Sequence, residues 1–321
     1  MSETILSEML FKAGLVAAQL LLVLLGAPLV SGAIKKVKAL LQTRRGPSIF
    51  QTYYDIWKLL RKDAVISEHT SWIFRATPYI TFLSVATASM LIPAVTTALP
   101  FGFAGDVIVV IYLFALARFF SALAGLDAGG AFGGMGSSRE MALSSLAEPA
   151  MVLAIFTVAL VLKSTSLATI AAASARMGLE AFTPAQLLAA MAFLIIVLAE
   201  TGPIPIDNPD THLELTMIHE GMLLECSGRY LGLMVWGHSI KQLLLLTLLA
   251  NVFFPWGVAT SLNPVSLLAA FGAYVLKVLG LAVLIGGVES YFAKLRLFKV
   301  PELLGASFML ALLALASNYV L

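Results

Sequence analysis

Residues 13–34 read AGLVAAQLLLVLLGAPLVSGAI, a run of 22 positions without a charged side chain. A helix needs about 20 mostly apolar residues to cross a hydrocarbon core of roughly 30 Å, so this run predicts a transmembrane helix. The same property recurs along the 321-residue chain, because no charge occurs between Arg75 and Asp106 or between Lys241 and Lys277. We therefore predict an all-α, polytopic helical bundle in a membrane.

The composition excludes several other classes of protein. Hydrophobic residues make up 60% of the chain and charged residues 12%, with a mean hydropathy of +0.95. Soluble domains contain about 45–50% apolar and about 25% charged residues, so a soluble enzyme or a disordered chain is disfavoured. The net charge of +2 is too small to predict a nucleic-acid partner. A membrane β-barrel would show period-two alternation, which is absent.

The chain forms a single membrane domain, 1–321, with about eight predicted spans. They are 13–34, 78–99, 106–125, 141–162, 184–203, 230–254, 266–288 and 302–320. The loops after odd-numbered spans carry fourteen lysines and arginines, and those after even-numbered spans carry two. By the positive-inside rule the odd-numbered loops face the cytoplasm, which places both termini on the non-cytoplasmic side of the membrane.

The first cytoplasmic loop, 35–75, is basic and contains a predicted amphipathic helix within 51–62. Apolar and aromatic side chains recur there at helical spacing: Tyr53, Ile56, Trp57 and Leu60. Such a helix lies at the membrane interface or under a partner protein, and anionic lipid or a protein dock would suit its basic flank equally. The preceding Arg44–Pro47 predicts a tight cationic turn.

Few metal ligands are available in this chain. Cys226 is the single cysteine, and there are four histidines. An iron–sulfur cluster needs about four cysteines, and a structural zinc site needs four grouped Cys or His ligands. We predict no metal site here. If the protein belongs to a redox system, other chains carry the metals.

A second cytoplasmic loop, 201–229, is acidic although positive charge is expected on that side. From Met177 to Gly228 there is no lysine or arginine, and seven of the eighteen acids of the chain occur there: Glu180, Glu200, Asp207, Asp210, Glu214, Glu220 and Glu225. Carboxylates crowded near a membrane have raised pKa values, which suits a proton relay or the wall of a polar cavity. A solvated acidic loop and a cation site remain open alternatives.

Local patterns add detail to the acidic loop and to the spans. Asn208 followed by Pro209 predicts a helix start, and on that helix Asp210, Glu214 and Glu225 would fall within about 60° of one another. His238 and Lys241 share one face of the sixth span. Further charged residues within or beside spans are compatible with structural ion pairs or with transport: Arg118, Asp127, Arg139, Glu140, Glu148 and Lys277. Gly125–Gly136, with six glycines in twelve residues, predicts flexible or closely packed backbone.

Several motifs together resemble one known family. They are 42–47 (QTRRGP), 54–60 (YDIWKLL), 199–201 (AET), 205–207 (PID), 214–215 (EL) and 225–228 (ECSG). In these motifs, and in its eight-span layout, the chain resembles the H subunit of complex I. It is still more similar to the membrane anchor subunit of formate hydrogenlyases and other energy-converting membrane-bound [NiFe]-hydrogenases.

The resemblance implies a non-catalytic subunit that anchors a peripheral redox arm and relays proton or ion coupling. It implies no cofactor in this chain, with the [NiFe] centre and the iron–sulfur clusters in partner subunits. Those partners would be the hydrogenase large and small subunits, an iron–sulfur protein and antiporter-like membrane subunits, within membrane lipid. By motif position, the proton-path candidates are Glu148, Glu200, Asp207, Asp210, Glu214 and Glu225, to which we add the span residues His238 and Lys241. The candidates for the peripheral-arm junction are Arg44, Arg45, Gly46, Pro47 and Asp55.

Departures from the complex I pattern leave alternatives open. Residues 202–207 read GPIPID, which lacks a basic residue common in complex I, and His212 stands where a carboxylate is often found. These changes weaken a quinone headgroup site and leave the proton path intact. The alternatives are a quinone-site subunit of NADH:quinone oxidoreductase, a free-standing ion transporter and a passive anchor.

Overall fold

A computed structural model describes residues 2–98, 105–177, 183–202, 206–207, 217–293 and 295–320, with side chains from residue 13 to residue 318. The described chain is built from helices that follow one another in this order: α1 (Ser2–Leu41), α2 (Gln51–Leu60), α3 (Trp72–Leu91), α4 (Val107–Asp127), α5 (Ala131–Leu162), α6 (Leu167–Met177), α7 (Pro184–Thr201), α8 (His219–Leu223), α9 (Gly228–Leu248), α10 (Pro264–Tyr291) and α11 (Val300–Val320). A π-helical turn, Leu249–Phe253, continues α9, and a 3₁₀ turn, Leu297–Lys299, precedes α11.

Seven of the described helices are long and apolar enough to cross a membrane, whereas the sequence predicts about eight. The predicted span at 78–99 corresponds to α3, which is less apolar than the other spans and is not among the seven. This helix begins at Trp72 and ends at Leu91, so both predicted ends are wrong. It ends there because the proline ring of Pro93 forces Ile92 into an extended conformation (φ −85°, ψ 117°). With 20 residues, α3 is still about 30 Å long.

Helix α9 forms the centre of the bundle. Of the most apolar 18 residues in Gly228–Phe253, 78% are buried, against 28% in α10. Helices α1, α2, α3 and α7 all contact α9. The Trp236 indole donates to the Leu24 carbonyl of α1 (3.0 Å), and Ser31 of α1 donates to Gln242 (2.6 Å). Polar side chains on α9 therefore bond to neighbouring helices in an otherwise apolar core.

Two outer helices complete the bundle. Helix α10 packs along α1, where the Lys38 Nζ lies 3.2 Å from the Glu289 Oε2. Helix α11 packs against α5 and α7, and the Ser307 hydroxyl donates to the Ala192 carbonyl at 2.9 Å. Much of the remaining surface of α10 is apolar and exposed, as expected for a helix that faces lipid or another membrane subunit.

The amphipathic helix of the first loop exists as α2, but its buried face differs from the predicted one. Thr52 and Ile56 are buried, while the Trp57 side chain is 58% exposed and carries the Arg61 guanidinium 4.5 Å from its ring centre. Helix α2 lies over α1 and α9, so its inward face is set by those two helices and not by hydrophobicity alone.

The first loop and the acidic loop are hydrogen-bonded to each other. The backbone N–H of Val65 donates to the Ser227 hydroxyl, and that hydroxyl donates to the Val65 carbonyl, both at 2.8 Å. Next to this pair, a Cβ on Gly228 (φ +53°) would lie 2.3 Å from the Asp63 carbonyl oxygen. The first loop is thereby fixed to the start of α9.

Helices α4 and α5 approach closely at their glycines, which confirms the prediction of closely packed backbone. A Cβ on Gly133 would lie 2.5 Å from the Gly125 carbonyl oxygen, and the Ser137 hydroxyl donates to the Ala122 carbonyl at 2.9 Å. Small residues let helix backbones meet where lipid offers no hydrophobic driving force.

This contact predicts that Gly133→Ala lowers the free energy of unfolding by about 1–3 kcal/mol. The added methyl group would collide with the backbone carbonyl of Gly125, which cannot rotate away as a side chain could. Gly134→Ala is the matched control, since nothing lies within 4 Å of a Cβ at that position. The control should unfold at the same temperature as the wild type or slightly higher, because alanine favours the helix. Thermal unfolding in detergent, followed by tryptophan fluorescence, measures both. Equal midpoints for the two variants would contradict the close contact.

A buried ion network as candidate functional site

Arg118 of α4 is the centre of a buried ion network. The residue is 5% exposed, and its Nη2 lies 2.6 Å from both carboxylate oxygens of Glu200 at the end of α7. Its Nη1 donates to Glu148 of α5, and its Nε lies 3.4 Å from the Glu140 Oε1. One guanidinium therefore faces carboxylates from two other helices.

Lys241 of α9 supplies the second positive charge. Its Nζ lies 2.7 Å from the Glu200 Oε2, so the Glu200 carboxylate is held between Arg118 and Lys241. Burying charges this deeply costs several kcal/mol for each ion unless each is paired. We refer to these five residues as the Arg118 network: Arg118, Glu140, Glu148, Glu200 and Lys241. With two cations and three carboxylates, the network carries one negative charge when fully ionised.

Two small cavities border the Arg118 network. The inner cavity, of about 40 Å³, is lined by residues that include Thr81, Arg118, Glu140, His219, His238 and Lys241. The loop cavity, of about 20 Å³, is lined by residues that include Glu140, Glu200, Asp207, Ile218 and His219. Both volumes are sufficient for ordered water among polar groups. The network is therefore placed where water could exchange protons with its carboxylates.

Asp207 closes the loop cavity on the side of the acidic loop. It is buried, and its Oδ2 accepts a hydrogen bond from the Ile218 backbone N–H at 3.1 Å. Arg139 of α5 donates to the Met217 carbonyl at 2.9 Å. Both ends of the undescribed stretch 208–216 are therefore held against the bundle near the Arg118 network.

The sequence identified part of this site. Glu148, Glu200 and Lys241 belong to the Arg118 network, while Asp207 and His238 line the cavities. Asp210 and Glu214 lie outside the described residues. Glu225 is exposed and packs against the backbone of Gly130, away from the two cavities.

The predicted helix face shared by Asp210, Glu214 and Glu225 is wrong for Glu225. Met217 and Ile218 are not helical, and Glu225 follows the end of the five-residue helix α8. A continuous helix from Asn208 to Glu225 is therefore excluded. The chain turns at Ile218 (φ −113°, ψ −83°), where the backbone N–H bonds to Asp207 and not to a preceding turn.

Three residues of the site were missing from the predicted proton path. Arg118 and Glu140 were recognised as charges within or beside spans, but the sequence does not show that they meet. His219 carried no signal, because a single histidine in a loop has many possible roles. Its pKa is lowered to about 4, first by burial and then by the charge of Lys241, so the imidazole is neutral at pH 7.

The cationic turn has the expected shape. Gly46 adopts a positive φ of +63°, and a Cβ there would lie 2.4 Å from the Ala39 Cβ, so the turn folds back onto the end of α1. Arg44, Arg45 and Pro47 are exposed, while Asp55 accepts from the Gln51 amide at 2.9 Å. The turn presents its positive charges outward.

No group of three or more His, Cys, Asp or Glu side chains is placed to hold a metal ion among the residues that the structure describes. Fold and site together define the class of protein, a polytopic helical membrane protein whose central helices are joined by a buried ion network.

Comparison with known proteins gives the family. Residues 14–319 match the family described as NADH dehydrogenase, and the chain belongs to it. It is 38% identical to formate hydrogenlyase subunit 4 of Escherichia coli (strain K12), over 91% of this chain and 94% of that protein. It is 36% identical to hydrogenase-4 component C of the same organism, over 92% and 93%. The resemblance inferred from the motifs is thus confirmed.

A solved structure supports the fold. A chain of the membrane-bound sulfane sulfur reductase, an archaeal respiratory membrane complex, superposes with a TM-score of 0.79 at 22% identity, over 94% of this chain and 99% of that one. The all-α, polytopic bundle predicted from sequence is confirmed.

Removing the central cation tests the network. We expect Arg118→Met to destabilise the protein by about 3–5 kcal/mol, because it leaves Glu140 without its cation and Glu200 with Lys241 alone. Arg176→Met is the control, since Arg176 is exposed at the end of α6. Thermal unfolding in detergent should show a lower midpoint for the first variant alone. An unchanged midpoint for Arg118→Met would mean that the network does not stabilise the fold.

Cys226, the single cysteine of the chain, gives a second prediction, which concerns its reactivity. The thiol is buried against Phe74 and Ala124, and burial, followed by the negative charge of Glu225, raises its pKa to about 11. Only the thiolate reacts with maleimides, and at pH 8 its fraction is on the order of 10⁻³. Labelling of native protein should therefore be slow, rise about tenfold per pH unit between pH 7 and pH 9, and be rapid after denaturation.

A matched variant separates the two causes of this shift. Glu225→Gln removes the smaller cause, so it should accelerate labelling while leaving it slower than in denatured protein. Native labelling as fast as denatured labelling would show that the thiol is not buried.

Proposed function

We propose that this chain is the membrane anchor and coupling subunit of a complex-I-like [NiFe]-hydrogenase assembly of the formate hydrogenlyase type. The relatives named formate hydrogenlyase subunit 4 and hydrogenase-4 component C support this assignment, because each aligns over more than nine tenths of both chains. The subunit would dock the peripheral redox arm and relay proton or ion movement in a prokaryotic inner membrane.

The single observation that carries the coupling role is the position of Glu200 between two cations. Two unit charges 4 Å apart interact by about 4 kcal/mol at an effective dielectric constant of 20. Protonation of Glu200 would weaken its pairing with both Arg118 and Lys241 and release them toward Glu140 and Glu148. A charge change near the site thus alters which carboxylate holds a proton, and this is the property that a proton relay requires.

The remaining path residues extend the relay toward the acidic loop. Asp207 borders the loop cavity together with Glu200. Asp210, Glu214 and Glu225 would carry protons between this cavity and the cytoplasmic surface. His238 and Lys241 would continue the path into the inner cavity.

The peripheral arm would dock on the first loop. Arg44 and Arg45 are exposed, and Gly46 and Pro47 form the turn that follows them. Asp55 lies on α2, the next helix along the chain. The hydrogenase large and small subunits and an iron–sulfur protein would carry the [NiFe] centre and the clusters. Antiporter-like subunits would contact the apolar outer helices, and both termini would lie on the non-cytoplasmic side.

A second candidate, a quinone-site subunit of NADH:quinone oxidoreductase, is favoured by one observation. An apolar cavity of about 440 Å³ lies between α1, α2 and α9, lined by residues that include Leu24, Pro28, Tyr53, Trp57 and Trp236. Its size and apolar lining would suit an isoprenoid tail. Inhibition of turnover by a quinone analogue would favour this candidate, and turnover indifferent to the analogue would favour the hydrogenase.

Purification tests the assembly. Mild-detergent affinity purification from the native host should yield hydrogenase subunits by mass spectrometry, together with nickel and iron. NADH dehydrogenase subunits with iron and flavin but no nickel would favour the second candidate. A chain that purifies alone and without metal would contradict both and would agree with a free-standing transporter.

Substitution of Glu200 tests the relay. We expect Glu200→Gln to abolish proton or sodium translocation in reconstituted vesicles, because the amide can neither bind a proton nor pair with both cations. Glu302→Gln, at an exposed position in the first turn of α11, is the matched control and should translocate normally. Unchanged translocation by Glu200→Gln would favour a passive anchor.

A further inference from the structure

The two cavities of the Arg118 network share two wall residues, Glu140 and His219. The inner cavity also contains His238, and the loop cavity also contains Asp207. These two residues therefore lie where a proton could pass from the loop cavity to the inner cavity. Glu140 faces Arg118 at 3.4 Å, so one of the two dividing groups already faces a cation.

The other dividing group, His219, is stacked on a second histidine. The ring centres of His219 and His238 are 4.6 Å apart, with an angle of 35° between the ring planes. His219 belongs to α8, beside the acidic loop, and His238 to α9, three residues before Lys241. The pair thus joins the loop to the central helix across the boundary between the cavities.

One nitrogen of this pair lacks a partner. The His238 Nδ1 is buried and has no hydrogen bond to any group that the structure describes. Leaving a buried polar atom unsatisfied costs about 1–3 kcal/mol, so an unpaired nitrogen in the core calls for an explanation. A nitrogen that binds a proton during turnover, and is unpaired at rest, explains it.

Charged side chains on five helices lie near the two rings. Arg118 of α4 and Lys241 of α9 oppose a positive imidazole, and Lys35 of α1 adds a further positive charge near His238. Glu140 of α5 and Glu200 of α7 favour a positive imidazole. Burial first, and then the positive charges of Lys241 and Arg118, lower the pKa of His219 to about 4, so its ring is neutral at pH 7 and presents one N–H donor and one acceptor nitrogen.

We propose that His219 and His238 form the proton-transfer switch between the loop cavity and the inner cavity. His219 accepts a proton from the loop cavity on one ring nitrogen and gives up the proton of its other nitrogen to the unpartnered Nδ1 of His238 or to the Glu140 carboxylate. When His238 is the acceptor, it releases the proton of its own second nitrogen into the inner cavity. Each ring ends neutral in its other tautomer, so no proton is consumed, and a second tautomer exchange resets it. This switch deepens the proposed function and rests on it.

The switch also responds to the state of the network. When Glu200 is ionised between Arg118 and Lys241, its negative charge offsets part of their effect on the rings. A shift of Lys241 away from the rings would raise their proton affinity, whereas neutralisation of Glu200 would lower it. Proton uptake by the pair is therefore tied to the same charge rearrangement that drives the relay.

The test compares variants that keep or lose a titratable group. The complete complex, isolated from the native host and reconstituted in vesicles with an internal pH-sensitive dye, gives the number of protons moved per hydrogen formed. We expect His219→Gln and His238→Gln each to lower this ratio at least about tenfold, since general acid–base groups contribute that much or more. His69→Gln, in the exposed part of the first loop, is the control and should keep the wild-type ratio.

A structural role for the histidines predicts a different order of effects. His219→Glu can still exchange a proton, so it should recover part of the lost ratio, with an altered dependence on pH. If the rings served only for packing, the neutral Gln would be tolerated and Glu would not. Wild-type ratios in both Gln variants, or failure of both to assemble, would overturn the proposal.

A parallel measurement on Glu200→Gln separates this proposal from the proposed function. If the histidine variants translocate and Glu200→Gln does not, the switch is wrong and the relay stands. If Glu200→Gln also translocates at the wild-type ratio, both are wrong.

Discussion

The burial of Arg118 is the constraint on which the centre of this protein depends. A guanidinium does not lose its proton under ordinary conditions, so its burial is costly unless carboxylates or other hydrogen-bond acceptors surround it. Here α5 and α7 supply them, and Lys241 of α9 shares one. Four helices are thereby fixed in register by charge, in a bundle whose core is otherwise mostly apolar. Because the two ion pairs of Glu200 are short and buried, a change in the charge of Glu200 alters the electrostatic environment of the other carboxylates.

The close approach of α4 and α5 makes this arrangement possible. Glycines at 125 and 133 let the two backbones touch at one end of the pair, and Arg118 lies about two turns away along α4. Bulkier side chains at the crossing would separate the helices and lengthen the distance from Arg118 to Glu148. Two glycines, which carry no functional group, therefore set the distances within a site made of charged residues.

The spans could be predicted from the sequence because their apolar runs are long and bounded by charge. The ends of α3 could not, because the effect of Pro93 on Ile92 competes with an apolar pattern that continues past it. Glu200 and Lys241 were recognised as ionisable residues at membrane depth, which are rare enough to be noticed singly. Their partnership with Arg118 depends on the rotation of three helices about their axes. Nearly uniform apolar helices carry no periodic signal that fixes this rotation. Glu225 was misplaced for a related reason, since the turn at Ile218 is set by a hydrogen bond to Asp207 that the local sequence does not reveal.

The hydrogen bonds between Val65 and Ser227 have a mechanical consequence. They join the first loop, which presents the cationic turn, to the first residues of α9, and the tight fit of Gly228 against Asp63 leaves little room for slip. Helix α9 behaves as a stiff rod that carries His238 and Lys241 about 15–20 Å from that joint, at 1.5 Å per residue. Any displacement of the first loop that moves the start of α9 would therefore also move His238 and Lys241, which lie on the same helix. The cationic turn and the buried charges are in this way connected through a single helix.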